Sequence, residues 1–445
     1  MNLQTPGFGQ FIFRDSPVSI RRRDFFSSLA VGQQMLAWGV KPGPRDAMDD
    51  FRTRIIVGEE LDWDALRREF VLDQRLAYLN SGSIGCTPRI LLEQIHQTSL
   101  ALEQNPFHHV WEDGLAGDLE QVRERIAESF SVTSAEIALT ENTTSGLYAI
   151  GSGIPWQADD ELIVSNHEHL SCMAVWKFLQ RKHNLTIRYV EIPLPDYSHD
   201  EFLSRLKSQL TDRTRACCFS HVDSFTGLRL PIGAISELTR PANILLVCDA
   251  AQSLGMSPVD FRSLGADALA GSGHKWLMGS KGTGLLYISR DAQDRIRPQI
   301  ADWSFGALTP ATGTRNIAQL LGWGITMEIQ KLLEPDRIGQ RIQELSAELL
   351  DRLRKIPGVE PLVHYEPRSL TGMTAFRFGG ITNSLNLAKR LARDSSVLVK
   401  PLPTSFELAE DGHQPTEYRA LRFSTHIYNN MNDIESAEKA LRATT

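Results

Sequence analysis

The chain has 445 residues, 42% hydrophobic and 23% charged, with 47 Lys+Arg against 54 Asp+Glu. That usage fits an ordinary globular protein of two or three domains and excludes a disordered, fibrous or multi-span membrane chain. A formal charge of −7 aids solubility but leaves no basic footprint for nucleic acid, and five cysteines make no disulfide framework.

At the amino end, Arg21, Arg22 and Arg23 precede Asp24-Phe25-Phe26 and a weakly apolar stretch interrupted by Gln33 and Gln34. Paired arginines before a polar residue and a bulky apolar pair resemble a twin-arginine export signal. The stretch is too short and polar for a stable membrane span. Residues 1–45, ending in Lys41-Pro42-Gly43-Pro44-Arg45, are expected to be leader and linker, with folding proper starting near Glu59. The expected location is periplasmic, or cytoplasmic if the segment is an amphipathic helix with a basic start.

Further on, Ile137–Thr140, Glu161–Ser165, Ile187–Ile192, Arg215–Ser220, Ile244–Cys248, Asp267–Ala270 and Gly284–Ile288 read as strands. Near-continuous apolar runs of this length suit strands covered on both faces of a mostly parallel sheet. Helical patterns lie between them, such as Glu201–Leu210 with Phe202, Leu203, Leu206 and Leu210 on one stripe. The result is an α/β chain, with a large domain over 59–335 and a smaller α+β domain over 336–445 that opens on an amphipathic helix, Arg341–Lys355.

Two of these runs carry chemistry. Asp249 ends one buried strand, followed by Gln252, and the next strand leads into Ser272-Gly273-His274-Lys275. In an open parallel sheet, ligands bind at the carboxyl ends of strands. A lysine desolvated there exposes a nucleophilic amine fit for a Schiff base, and a buried acid would keep a pyridine nitrogen protonated. Thr143 and Thr144 open a helix after a strand, which is a ready anion site. No Cys-x-x-Cys pair or Cys/His cluster has zinc-like spacing, so no metal is expected.

The Asp-x-x-Gln and Ser-Gly-His-Lys pattern resembles the class V aminotransferases of pyridoxal-phosphate (PLP) fold type I, over about residues 75–435. The resemblance implies that Lys275 forms the Schiff base with PLP and shuttles the α-proton, that Asp249 pairs with the pyridinium nitrogen, and that Gln252 lies near the ring hydroxyl. It also implies that Thr143, Thr144, Ser272 and His274 hold the phosphate. His169, in Asn166-His167-Glu168-His169, takes the place of the ring that stacks on the cofactor, with His167 the competing candidate. Ser224, where desulfurases usually carry Asn, is expected near the substrate. Thr314, in Gly313-Thr314-Arg315-Asn316, is expected to reach a partner's phosphate across a homodimer interface. Arg422, in Arg422-Phe423-Ser424 before Tyr428-Asn429, is expected to grip the substrate α-carboxylate.

Tyr78-Leu79-Asn80-Ser81-Gly82 and Gly85-Cys86-Thr87-Pro88 are similar to the opening of the isopenicillin-N-epimerase-like branch, which adds Asn80 to the substrate site; Asn105-Pro106 through Trp111 continues that likeness. The implied activity is transamination or epimerisation at the α-amino group and Cα of an amino acid or peptidyl amino acid, such as an exported peptide metabolite. Persulfide-forming desulfuration needs a mobile cysteine in the small domain, and no cysteine follows Cys248; the stretch from Leu398 to Tyr418 offers His413 instead. A C–S lyase without such a cysteine stays open. A non-catalytic binding protein on the same fold is disfavoured by the intact Lys275, Asp249 and Arg422.

Overall fold

Seven strands make the central sheet: β1 (Ile137–Thr140), β2 (Glu161–Ser165), β3 (Thr186–Val190), β4 (Thr214–Ser220), β5 (Leu245–Asp249), β6 (Ala268–Ser272) and β7 (Gly284–Ile288). This is a computed structural model, and it describes residues 44–106, 114–297, 315–366, 370–403 and 418–444. The arginine-rich leader, the stretch from Phe107 to Trp111, Thr314 and His413 lie outside the described residues. The strand order is β1-β7-β6-β5-β4-β2-β3. β2 is parallel to β3 and β4, and β4, β5 and β6 run parallel in turn, while β7 is antiparallel to both β6 and β1.

The apolar runs alternate between two cores. Leu162, Val164, Ala216, Cys218, Leu245, Val247, Ala268 and Ala270 pack against Leu147, Ile150, Met173, Trp176 and Leu179 of helices Thr143–Gly153 and Leu170–His183. Ile163, Cys217, Leu246, Cys248, Leu269 and Leu285 face a core that includes Phe202, Leu206, Trp323 and Met327. Side chains of successive strand residues point to opposite faces, so a run apolar at every position is what a sheet covered by helices on both sides requires.

A second, antiparallel sheet has the order β8-β9-β11-β10: β8 (Val359–Pro361), β9 (Met373–Phe378), β10 (Lys400–Pro403) and β11 (Tyr418–Ser424). Helix Pro335–Leu353 precedes it and buries Leu345, Leu349 and Leu353 against Phe376, Leu421 and Phe423. The amino-terminal segment joins this region. Ala77–Tyr78 pairs in parallel with Val397–Leu398, and Asn80 bridges Ser424. Among the described residues, no helix is long and apolar enough to cross a membrane.

The described fold starts earlier than the expected Glu59. Helix Pro44–Ile55 buries Phe51 and Ile55 completely, and its Arg54 donates to both carboxylate oxygens of Glu69. Residues from Met48 onward form one compact unit. The few apolar positions in this helix hid the anchoring from a reading of composition alone.

The two ends of that unit are tied by Arg67. Its Nη1 and Nη2 donate to Asp433 at 2.7 and 3.1 Å, with both side chains buried. Asp433 also caps its own helix, Met431–Arg442, and accepts from Asn429 Nδ2. Removing one partner of a buried, hydrogen-bonded pair leaves the other uncompensated, so Asp433→Ala is expected to cost about 3–5 kcal/mol in urea unfolding of the full chain. An Arg67→Met/Asp433→Leu double variant should recover much of it.

Candidate active site

Five strand ends converge on one edge. β2, β4, β5 and β6 are parallel, and because β1 and β6 are both antiparallel to β7, Thr140, Ser272 and the start of β7 at Gly284 share that edge. The segments leaving it deliver Thr143 and Thr144 after β1, His169 after β2, Ser224 after β4, Asp249 at the end of β5, and Ser272, His274 and Lys275 at the end of β6. All of them line a single cavity of about 610 Å³, and Arg422 on β11 reaches the same cavity from the second sheet.

Lys275 is 9% exposed. Burial lowers its pKa to about 8; Asp249 opposes the shift and Arg422 adds to it. Asp249 accepts from Ala251 N at 2.9 Å, and burial raises its pKa although that bond and Lys275 favour its charged form. Gly85 fixes the lysine's backbone: its N–H donates to His274 O at 2.8 Å, and a Cβ there would lie 2.0 Å from Lys275 O. Only glycine lets the two backbones approach so closely.

His169 caps helix Leu170–His183, with Nδ1 accepting from Ser171 N at 3.2 Å. Burial, then Lys275, Arg422 and Lys400, push its pKa down to about 3, so the ring is neutral and its proton resides on Nε2. His167 does not line the cavity. Its Nδ1 meets Asp223 Oδ2 at 3.1 Å in the interior, and Asp223 also accepts from Phe225 N and from Thr226. Burial alone would raise the Asp223 pKa; His167 and these donors lower it.

Arg422 is held from three sides. Nη1 donates to Ser224 O, and Nη2 donates to Asn80 Oδ1 at 3.2 Å and Ser83 Oγ at 3.1 Å. Burial brings its pKa down to about 10, still charged at neutral pH. Asn80 therefore acts on the arginine and is not part of the cavity lining, and Ser224 does so through its carbonyl. The Gln252 amide is engaged at both ends, donating to Gly82 O at 2.9 Å and accepting from Trp276 Nε1 at 2.8 Å, which ties the amino-terminal turn to the lysine's segment.

The first turn of helix Thr143–Gly153 faces the cavity. Asn142 Oδ1 takes Ser145 N, and the Thr143 and Ser272 hydroxyls lie 2.7 Å apart. First-turn N–H groups have no intrahelical acceptor, so this corner suits an anion. Buried polar atoms without a partner surround the same space: His274 Nδ1, Ser224 Oγ and Arg422 Nε.

Three participants were not singled out from the sequence. Ser83 bonds Arg422, Lys400 lines the cavity, and Glu168 accepts from Ser165 Oγ, Ser220 Oγ and Ser220 N beneath the strand ends. Burial pushes the Glu168 carboxyl up to about 7. The sequence signal for Ser83 was its place in the glycine-rich turn after Asn80, and that for Glu168 its place just before His169; Lys400 depends on strand register and gave none.

The family model described as Aminotransferase class-V matches residues 77–436. The chain belongs to the aminotransferase class V family. It is 29% identical over 406 residues to an isopenicillin N epimerase of Amycolatopsis lactamdurans, covering 85% of this chain and 98% of that relative. It is 26% identical to a probable cysteine desulfurase of Methanothermobacter thermautotrophicus, covering 83% and 95%. A solved C-DES variant with glycine covalently linked to its PLP cofactor superposes with a TM-score of 0.75 at 23% identity, covering 84% of this chain and 98% of that one. The fold is PLP fold type I, the protein is an enzyme, and its cofactor is pyridoxal 5'-phosphate. The residues present fit that group. An anion corner, a buried acid and a neutralisable lysine line one cavity, with partnerless polar atoms around it.

Only the neutral form of a lysine amine adds to an aldehyde such as that of pyridoxal phosphate, and Lys275 is expected to be that amine. The rate at which apoprotein takes up added pyridoxal phosphate is therefore expected to rise with pH through about 8 and then level off, followed by stopped-flow absorbance. In Asp249→Asn the midpoint should move lower, because the carboxylate that favours the ammonium is gone. A midpoint near that of an ordinary lysine, about 10.4, would contradict the burial of Lys275.

Proposed function

We propose that this enzyme removes and returns the α-proton of an amino acid or peptidyl amino acid, and that its reaction is epimerisation. The observation that carries the reading is the shared cavity of Lys275, Asp249 and Arg422. Bound pyridoxal phosphate acidifies the substrate's Cα–H by withdrawing electrons. Thr143, Thr144, Ser272 and His274 would hold its phosphate, and Asp249 would keep its ring nitrogen protonated. Arg422 binds the substrate carboxylate through donors left free by Ser224, Asn80 and Ser83. Lys275 Nζ, its pKa brought to about 8, accepts and redelivers a proton near neutral pH. His169, neutral and lining the same cavity, would face the cofactor ring and offer Nε2–H. The similarity to isopenicillin N epimerases favours epimerisation over transamination, which uses the same residues.

Persulfide chemistry is disfavoured by the thiols. Cys172 lines the cavity, but its hydrogen bond with Cys218 and its burial hold it far above the usual thiol range, so it is not a thiolate nucleophile. No cysteine lies beyond Cys248. A homodimer with Thr314 at the interface, and twin-arginine export of the folded, cofactor-loaded enzyme, belong to the same proposal.

Incubation of the holoenzyme with an amino-acid panel in deuterated water separates the reactions. The expected product carries deuterium at Cα with inverted configuration. A keto acid with pyridoxamine phosphate would mean transamination, and pyruvate with sulfide or a thiol would mean C–S cleavage. Lys275→Ala should lose the near-visible absorbance band of the covalently bound cofactor and all exchange. Arg422→Lys should raise KM about tenfold or more with a smaller change in kcat, because the planar, two-point grip is lost.

A further inference from the structure

We propose that Lys400 and Arg422 form a two-cation site, and that the substrate is accordingly an acidic amino acid with a second carboxylate. The inference rests on the reading that Arg422 takes the α-carboxylate.

β10 and β11 are antiparallel, and their register sets Lys400 directly opposite Arg422. Side chains directly opposite in such a pair stand on the same face with Cβ atoms about 5 Å apart. Both residues line the cavity. Like charges so placed destabilise a sheet, and the repulsion is felt: partial desolvation of the ammonium and then Arg422 lower the Lys400 pKa, although the residue as a whole stays exposed. Among the described residues, no carboxylate forms an ion pair with either cation. The acid that Arg422 feels, Asp223, is engaged by His167 and Thr226. Among the described residues, then, the two cations side by side at a cavity wall have no ion-paired carboxylate, and a ligand with two negative groups supplies the anions.

The two cations differ in what they are free to do. Arg422 is clamped by Ser224, Asn80 and Ser83 and offers one fixed geometry. Lys400 has an open side chain on a flexible stem. The fixed fork suits the group present on every amino acid, and the mobile ammonium suits a second anion at a variable distance. Leu385, Pro401 and Leu402 add apolar surface to the same lining, suited to the methylenes between the two carboxylates.

The test uses isosteric pairs that differ only in charge. L-aspartate and L-asparagine, L-glutamate and L-glutamine are titrated into holoenzyme, and dissociation constants are read from the shift of the cofactor absorbance. The expected result is a preference for the acid of about tenfold or more in at least one pair. Lys400→Met should abolish it by weakening the acid alone, and Lys400→Arg should keep it. The proposal is overturned if wild type shows no preference, if the preference survives in Lys400→Met, or if that variant weakens acid and amide equally, which would place Lys400 on the α-carboxylate. Should Lys400→Met not fold, the wild-type comparison and Lys400→Gln decide in the same way. A wild-type enzyme without the covalent cofactor band would instead refute the reading on which the inference rests.

Discussion

Burying Asp249, Lys275 and Arg422 around one cavity is the constraint on which the rest of the molecule turns. Charges taken out of water are costly unless paired or hydrogen-bonded. The fold meets that cost in three ways. Asp249 receives the backbone N–H of Ala251, Arg422 receives three protein acceptors, and Lys275 yields part of its charge through a lowered pKa. The last of these also supplies the neutral amine that the proposed reaction uses. An exposed lysine would hold its proton too tightly to act near neutral pH.

Holding that arrangement takes distant parts of the chain. The amino-terminal turn supplies Asn80, Ser83 and Gly85, the central sheet supplies the acid and the lysine, and the second sheet supplies the arginine. Gln252 joins the first two by bonding both Gly82 and Trp276. The bridge from Asn80 to Ser424 sets the first and third in register, which is why the Asn80 amide meets Arg422. A glycine at position 85 is part of the same device, since any side chain there would push the lysine's backbone out of place.

Much of this was readable in the residues. All seven central strands were expected, and six of them are near-continuous buried runs, because a strand covered on both faces needs no alternation and so announces itself by length and continuity; β3, at the sheet edge, is only partly buried. Boundaries slipped by a residue or two, as at Leu245–Asp249, where the strand extends onto the acid itself. The helix Pro44–Ile55 was not legible, since among its described side chains it anchors through Phe51 and Ile55 in an otherwise polar segment. His167 and His169 could not be told apart in sequence. Two residues apart at a strand-to-helix turn, one points to the interior acid Asp223 and the other caps the helix at the cavity.

The sequence by itself determined the class of cofactor chemistry and the family, because a lysine after one strand and an acid at the end of another carry their meaning in order and spacing. It also excluded a carboxyl-terminal thiol, a matter of composition alone. The tertiary structure decided which groups are neutral and which charged, since burial sets the Lys275, His169 and Glu168 pKa values. It decided, too, that Asn80 acts through Arg422, and that Lys400 stands beside that arginine. Both facts are pairings between strands remote in sequence, and register across a sheet is fixed by packing and turns and leaves no mark in either strand alone.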